Sequence, residues 1–152
     1  MTHFMGTHQN RLDTKKRVSI PAAFRKSLQS VAPEHGAPLV LRPSHKHPCI
    51  EGWSARDFHA LGAAMDQLDV FSTAQDDLAF ALFAEANEVS PDKEGRIVLP
   101  DDLAGHALIT QDMVFVGLGT HFQIWEPKAL AQRRAEALAN ARTSGFTLPG
   151  RA

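Results

Sequence analysis

Two stretches of the chain alternate apolar and polar positions in the same way. In "RLDTKKRVSIPAAF" (residues 11–24) the apolar residues after a cluster of cations are Val18, Ile20 and Phe24. In "SPDKEGRIVLPDDL" (residues 90–103) they are Ile97, Leu99 and Leu103, each displaced by 79 positions. Asp13 and Asp92, Arg17 and Arg96, and Pro21 and Pro100 keep the same displacement. Alternation after each arginine predicts a half-buried strand in both copies.

The likeness continues downstream, where "PLVLRPSHKHPCIEGW" and "DMVFVGLGTHFQIW" each read as two short strands joined by a turn. The displacement falls to 72 at Trp53 and Trp125, because the first hairpin loop is longer. A helix start follows each tryptophan. "SARD" offers Ser54 as N-cap with Asp57 three residues on, and "EPKAL" puts Pro127 in a first turn.

Between the copies, "SARDFHALGAAMDQLDVF" and "STAQDDLAFALFAEANEV" predict two helical segments, the second capped by Ser72 and striped by Leu78, Leu82 and Phe83. "PKALAQRRAEALANAR" is helical by propensity, whereas "TSGFTLPGRA" has turn residues and no period, which predicts a mobile end. The chain thus divides into a first repeat (7–54), connecting helices (55–86), a second repeat (87–127) and a C-terminal helix with its tail (128–152).

With 152 residues the chain is the size of one domain, long enough to bury roughly 70% of its unfolded surface. An apolar share of 43% and a charged share of 22% place it with ordinary soluble globular chains. The start "MTHFMGTHQN" has no basic and apolar leader, Cys49 is the single cysteine, and no apolar run approaches about 18 residues. A cytoplasmic protein is the expectation, with no membrane partner.

A net charge of −1 offers no general attraction to nucleic acid, so anion binding has to come from clustering. The two copies differ sharply here. Residues 10–26 carry Arg11, Lys15, Lys16, Arg17, Arg25 and Lys26 against Asp13, a net +5, while residues 89–105 have a net −2. The first copy is therefore the anion-binding candidate. An arginine on a strand edge can contact guanine with two hydrogen bonds while neighbouring lysines hold phosphates. The plainer reading of Asp13 with Arg17, and of Asp92 with Arg96, is an ion pair that closes a turn.

Other motifs carry less. In "HKHPC", His45, His47 and Cys49 would share a strand face, but Pro48 interrupts it and no fourth ligand is spaced to match, so no metal site is expected. "GLG" at 117–119 lacks the third glycine and the helix of a phosphate loop and reads as a hairpin turn. No nucleophile elbow, zinc-protease helix or paired carboxylates in an apolar setting mark a catalytic centre, and neither enzyme activity nor a cofactor is expected.

Together "GTHQNRLDTKKRVSIPAAF", "DKEGRIVLP" and "VGLGTHFQIWEP" resemble the MraZ family of bacterial transcriptional regulators, with two tandem SpoVT-AbrB-like swapped-hairpin repeats. The resemblance spans nearly the whole chain, and the paired Asp-x-x-x-Arg elements are specific to that family. It implies an α+β fold in which two repeats interlock as one pseudo-dimeric β-barrel with flanking helices, and homo-oligomeric rings. It implies binding to double-stranded DNA at direct repeats in the promoter of the chain's own division and cell-wall operon, generally as a repressor at the nucleoid.

Carried over by position, the family's loops are Asp13 to Arg17 and Asp92 to Arg96, with Arg17 the foremost DNA contact. Arg11, Lys15, Lys16 and Arg96 are further candidates, and Asp13, Asp92 and Gly95 shape the loops. The family usually has Asp-Ala-Lys-Gly-Arg in the first loop. Here Lys16 replaces that glycine while Gly95 keeps it in the second, and a turn with positive φ would be strained by lysine by about 1 kcal/mol, so either the turn differs or the extra charge compensates. Swapped-hairpin barrels also occur as protein-binding modules, which leaves a second expectation: a ring-forming interaction protein whose basic loop docks an acidic partner.

Overall fold

A computed structural model of the chain describes residues 3–30 and 38–149. The last residues of the tail, 150–152, for which the sequence predicts mobility, lie outside the described residues. The chain runs β1 (Thr7–Arg11), β2 (Arg17–Ser19), α1 (Ala22–Gln29), β3 (Leu39–Pro43), β4 (Ile50–Ser54), α2 (Ala55–Met65) and α3 (Thr73–Ala79). It continues through β5 (Asn87–Val89), β6 (Arg96–Val98), α4 (Asp101–His106), β7 (Asp112–Gly117), β8 (Phe122–Trp125) and α5 (Pro127–Ser144). The unit of two strands, a helix and two strands occurs twice, giving an α+β chain.

The first strand of each unit pairs with the hairpin of the other. β1 lies antiparallel to β7, from Thr7 opposite Val116 to Arg11 opposite Asp112, and β5 lies on β3 with Leu39 opposite Val89. The hairpins meet where β4 pairs with β8, giving the order β1-β7-β8-β4-β3-β5. β2 and β6 pair with each other as a separate two-stranded ribbon.

The closed β-barrel implied by the family resemblance is not formed. The six-stranded sheet ends at β1 and β5, which do not pair with one another among the described residues. β2 and β6 are only three residues long, each held between a tight turn and the helix that Pro21 or Pro100 introduces, so they pair with each other and do not join the two edges. Proline favours this ending because it has no N–H to extend the ladder.

The alternating apolar positions go where the pattern sends them. Val18, Ile20 and Phe24 from the first unit and Ile97, Leu99 and Leu103 from the second are all nearly fully buried in one shared core. Phe24 sits among Phe4, Phe115 and Phe122, with its ring centroid 5.3 Å from Phe4 and 5.2 Å from Phe122. Because both units feed this cluster, neither has a core of its own. Phe24→Ala would open a cavity costing about 3 to 5 kcal/mol.

Helix ends follow local chemistry. Ser54 Oγ accepts the Asp57 N–H and Ser72 Oγ the Gln75 N–H, each at 3.1 Å. Pro127 opens α5 behind the Glu126 cap, and Gly145, with φ +60°, ends it. The "GLG" stretch forms the β7–β8 turn, with the Leu118 N–H bonded to His121 O at 2.9 Å. Leu78 and Leu82 are half-buried, and Phe83 meets the Phe58 ring at 5.3 Å. The helix widens to a π-helical stretch over Phe80–Ala84, where Ala81 O accepts Nη2 of the buried Arg42 at 2.8 Å. That long-range contact has no local sequence signature.

Candidate nucleic-acid interface

The two Asp-x-x-x-Arg segments fold into the same turn. Asp13 Oδ1 accepts the backbone N–H groups of Lys15 and Arg17, and Oδ2 accepts Arg17 Nε, all at 2.8 Å. Asp92 Oδ1 likewise accepts from the N–H groups of Glu94 (2.9 Å) and Arg96 (3.0 Å), and Oδ2 from Arg96 Nε (3.0 Å). A short carboxylate suits this geometry because it reaches backbone donors two residues on. These bonds hold both aspartate carboxyls below the usual range, backbone donation from Arg17 or Arg96 being the largest cause.

The turn-closing ion pair is therefore present, and it leaves a role for Arg17. Asp13 takes the Nε edge of the guanidinium, while Nη1 and Nη2 have no partner among the described residues. In the second turn Arg96 is held twice, by Asp92 on Nε and by Glu94 Oε2 on Nη2 at 2.9 Å.

Each turn has its fourth residue in the left-handed region, Lys16 at φ +61° and Gly95 at φ +79°. Of the two outcomes open for the replacement of glycine by lysine, the turn keeps its left-handed residue and Lys16 bears its strain. Neighbours decide which residue stands where. A β-carbon on Gly95 would overlap the Arg25 side chain. In the other unit Ala104 occupies the place corresponding to Arg25, and the Lys16 ammonium reaches Asp101 on α4 at 2.6 Å. The groove beside Lys16 and Ala104 accordingly measures about 990 Å³, against about 370 Å³ beside Gly95 and Arg25.

The β2–β6 ribbon joins the two turns. Its central pair, Val18 and Ile97, points into the core, so the flanking pairs, Arg17 with Val98 and Ser19 with Arg96, point out. Both arginines share this outward face, at diagonal corners. Val98 between them is 59% exposed. The Asn10 amide ties the ribbon to β1 by donating to Ser19 O at 2.6 Å.

The cations singled out in the sequence do not act alike. Arg11, at the end of β1, lies 3.5 Å from Asp112, and Lys16 is turned to Asp101. The Lys15 side chain is exposed and its ammonium has no partner among the described residues. Arg25, counted with the first cluster, packs instead on the second turn, its Nη1 3.5 Å from Glu94 O. Sequence reasoning missed Asp101 and Glu94 as partners of these cations, and Ser19 and Val98 as outward residues. The period-two alternation already held the signal for the last two.

"HKHPC" scatters its side chains. His45 Nδ1 lies 2.9 Å from Arg42 Nη2, and the His47 ring is 5.9 Å from that of Trp125, with its pKa lowered mainly by burial. Cys49 is buried and its thiol is pushed up to about 12 by that burial. No helix among the described residues is long and apolar enough to cross a membrane.

An exposed ribbon framed by duplicated Asp-x-x-x-Arg turns defines a class of two-repeat α+β proteins with one shared core. The chain belongs to the MraZ family: the family profile described as "MraZ protein" matches residues 3–80 and 82–146. It is 52% identical over 151 residues to the "Transcriptional regulator MraZ" of Gluconacetobacter diazotrophicus, covering 99% of this chain and 96% of that relative. A relative of the same name from Gluconobacter oxydans is 54% identical over 144 residues, covering 94% of this chain and 87% of the relative. Another from Rickettsia akari is 33% identical over 148 residues, covering 97% of each.

Proposed function

We propose that this chain is a sequence-specific DNA-binding transcriptional regulator that represses its own division and cell-wall operon by binding direct repeats in the promoter. The regulator names of its relatives support the general role. The observation that carries the specific reading is the outward face of the β2–β6 ribbon, with Arg17 pre-oriented by Asp13 beside Lys15, whose ammonium has no partner among the described residues. The major groove of B-DNA is about 12 Å wide and admits such a two-stranded ribbon.

On this reading the Nη atoms of Arg17 contact guanine and Lys15 holds a phosphate. Arg11 adds charge at the flank, Lys16 braces the loop through Asp101, and Asp13, Asp92 and Gly95 shape the frame. Residues 7–54 and 87–127 are then two SpoVT-AbrB-like repeats sharing one pseudo-dimeric body. A ring of such chains at the nucleoid would present one ribbon per subunit to tandem DNA boxes. Weak single contacts would add through effective concentration, which lets a chain of net charge −1 bind DNA.

The test is a titration of the purified protein into a duplex from upstream of its own gene and into a shuffled duplex, each at two salt concentrations. Binding to the first alone is expected. If each subunit neutralises about 3 phosphates, log K should fall by about 2.7 per decade of salt for each engaged site. Equal, weak binding to both duplexes would overturn the assignment and favour a module that docks an acidic protein.

A further inference from the structure

We propose that Glu94 is a specificity determinant that keeps the second loop from engaging DNA, so that each chain reads the duplex through Arg17 alone; this rests on the DNA-binding reading above. Arg17 and Arg96 occupy equivalent places on one outward face, each with Nε held by its aspartate. Position alone gives Arg96 the same access as Arg17. The difference lies two residues earlier, where Lys15 in the first loop corresponds to Glu94 in the second.

Glu94 Oε2 sits 2.9 Å from Arg96 Nη2. Nε of Arg96 donates to Asp92 and the Glu94 carboxylate lies against Nη2 as a close ion pair, so a base approaching the Nη atoms of Arg96 meets a competing anion that the Nη atoms of Arg17 do not have beside them. Along residues 92–96 Asp92 and Glu94 offset Lys93 and Arg96, so the second loop has no net positive charge to draw in a phosphate. The first loop keeps a net +2, with Asp13 against Lys15, Lys16 and Arg17.

Among the described residues the Glu94 carboxylate has no other partner. Its bonds within the loop use the backbone, with its N–H donated to Asp92 Oδ1 and its carbonyl near Arg25 Nη1. Its side chain is 70% exposed. A glutamine or a lysine therefore fits the same turn, and the effect of either reports charge rather than folding.

The experiment measures binding of the full chain to the upstream duplex across a salt series, for wild type, R17A, R96A, E94Q, E94K, E94Q/R96A and R17A/E94K, with thermal melting as a check on folding. E94Q should tighten binding several-fold, and R96A should erase that gain while costing less than threefold in the wild-type background. E94K should tighten binding further and steepen the salt slope by about 0.9 for one additional phosphate. R17A/E94K should recover part of what R17A loses.

If wild type binds and R17A weakens it, but E94Q and E94K leave affinity and slope unchanged, the role of Glu94 is overturned while the DNA reading stands. If R96A costs as much as R17A, the second loop already reads DNA and the proposal fails. If wild type does not bind the duplex, the functional reading itself falls and takes this inference with it.

Discussion

The turns at residues 13–17 and 92–96 share one frame but differ in charge, net +2 against zero. In both, an aspartate accepts two backbone N–H groups and the arginine Nε, at distances that differ by no more than 0.2 Å. Within that frame Lys15 corresponds to Glu94 and Lys16 to Gly95, while Arg25 and Ala104 exchange places behind them. The comparison separates two tasks that a motif search treats as one. Asp and Arg build the turn, and the residues between them set how strongly its surface attracts phosphate.

The largest expected effect tests that division directly. Arg17→Ala should cost about 1 to 3 kcal/mol of binding at a single base pair if its contact is bidentate. Arg96→Ala should change binding far less, and competition titrations with single-base variants of the site would show both.

A second test exchanges the structural roles. Gly95→Ala places a side chain at positive φ and against Arg25, and should destabilise the fold by about 2 kcal/mol in urea unfolding. Lys16→Gly relieves the corresponding strain but loses an exposed ion pair worth about 0 to 1 kcal/mol, so its net change should stay within about 1 kcal/mol. Equal losses from the two substitutions would mean that crowding by Arg25 is not the reason for Gly95.

The smallest effect concerns pH and should be the same for both turns. The Asp13 and Asp92 carboxyls titrate below their ordinary value of 3.8, so their contribution to stability is fully present above that value and is lost as pH falls through the lowered folded values. Between pH 5 and 8 neither should alter stability, and below about pH 4 both turns should loosen. Asp13→Asn and Asp92→Asn should each flatten that acid limb in a melting series. Only Asp13→Asn should also weaken DNA binding at pH 7. Equal effects of both substitutions on binding would erase the functional distinction between the loops.

Much of this architecture was legible in the chain because its causes are local. Alternation placed Val18, Ile20, Ile97 and Leu99 in the core, and the Ser54 and Ser72 caps marked helix starts, while the place of Lys16 opposite Gly95 left open a changed turn or a strained one, and the strained one is found. The duplicated Asp and Arg positions marked the candidate surface. The closed barrel did not follow, because three-residue strands beside prolines cannot connect the sheet edges. Arg25 also misled the charge count: close to the first loop in sequence, it lies against the second in space.

The sequence by itself determined the two repeated units, their inward and outward faces, and the short-range turns, since each depends on residues a few positions apart. Only the tertiary structure decided that the units exchange strands, that Lys16 reaches Asp101, that Arg42 meets the π-helical carbonyl of Ala81, and that both arginines share one face. These contacts join residues far apart along the chain, and no local spacing encodes which distant partner will satisfy a given charge or strand edge. Burial of one common core draws them together.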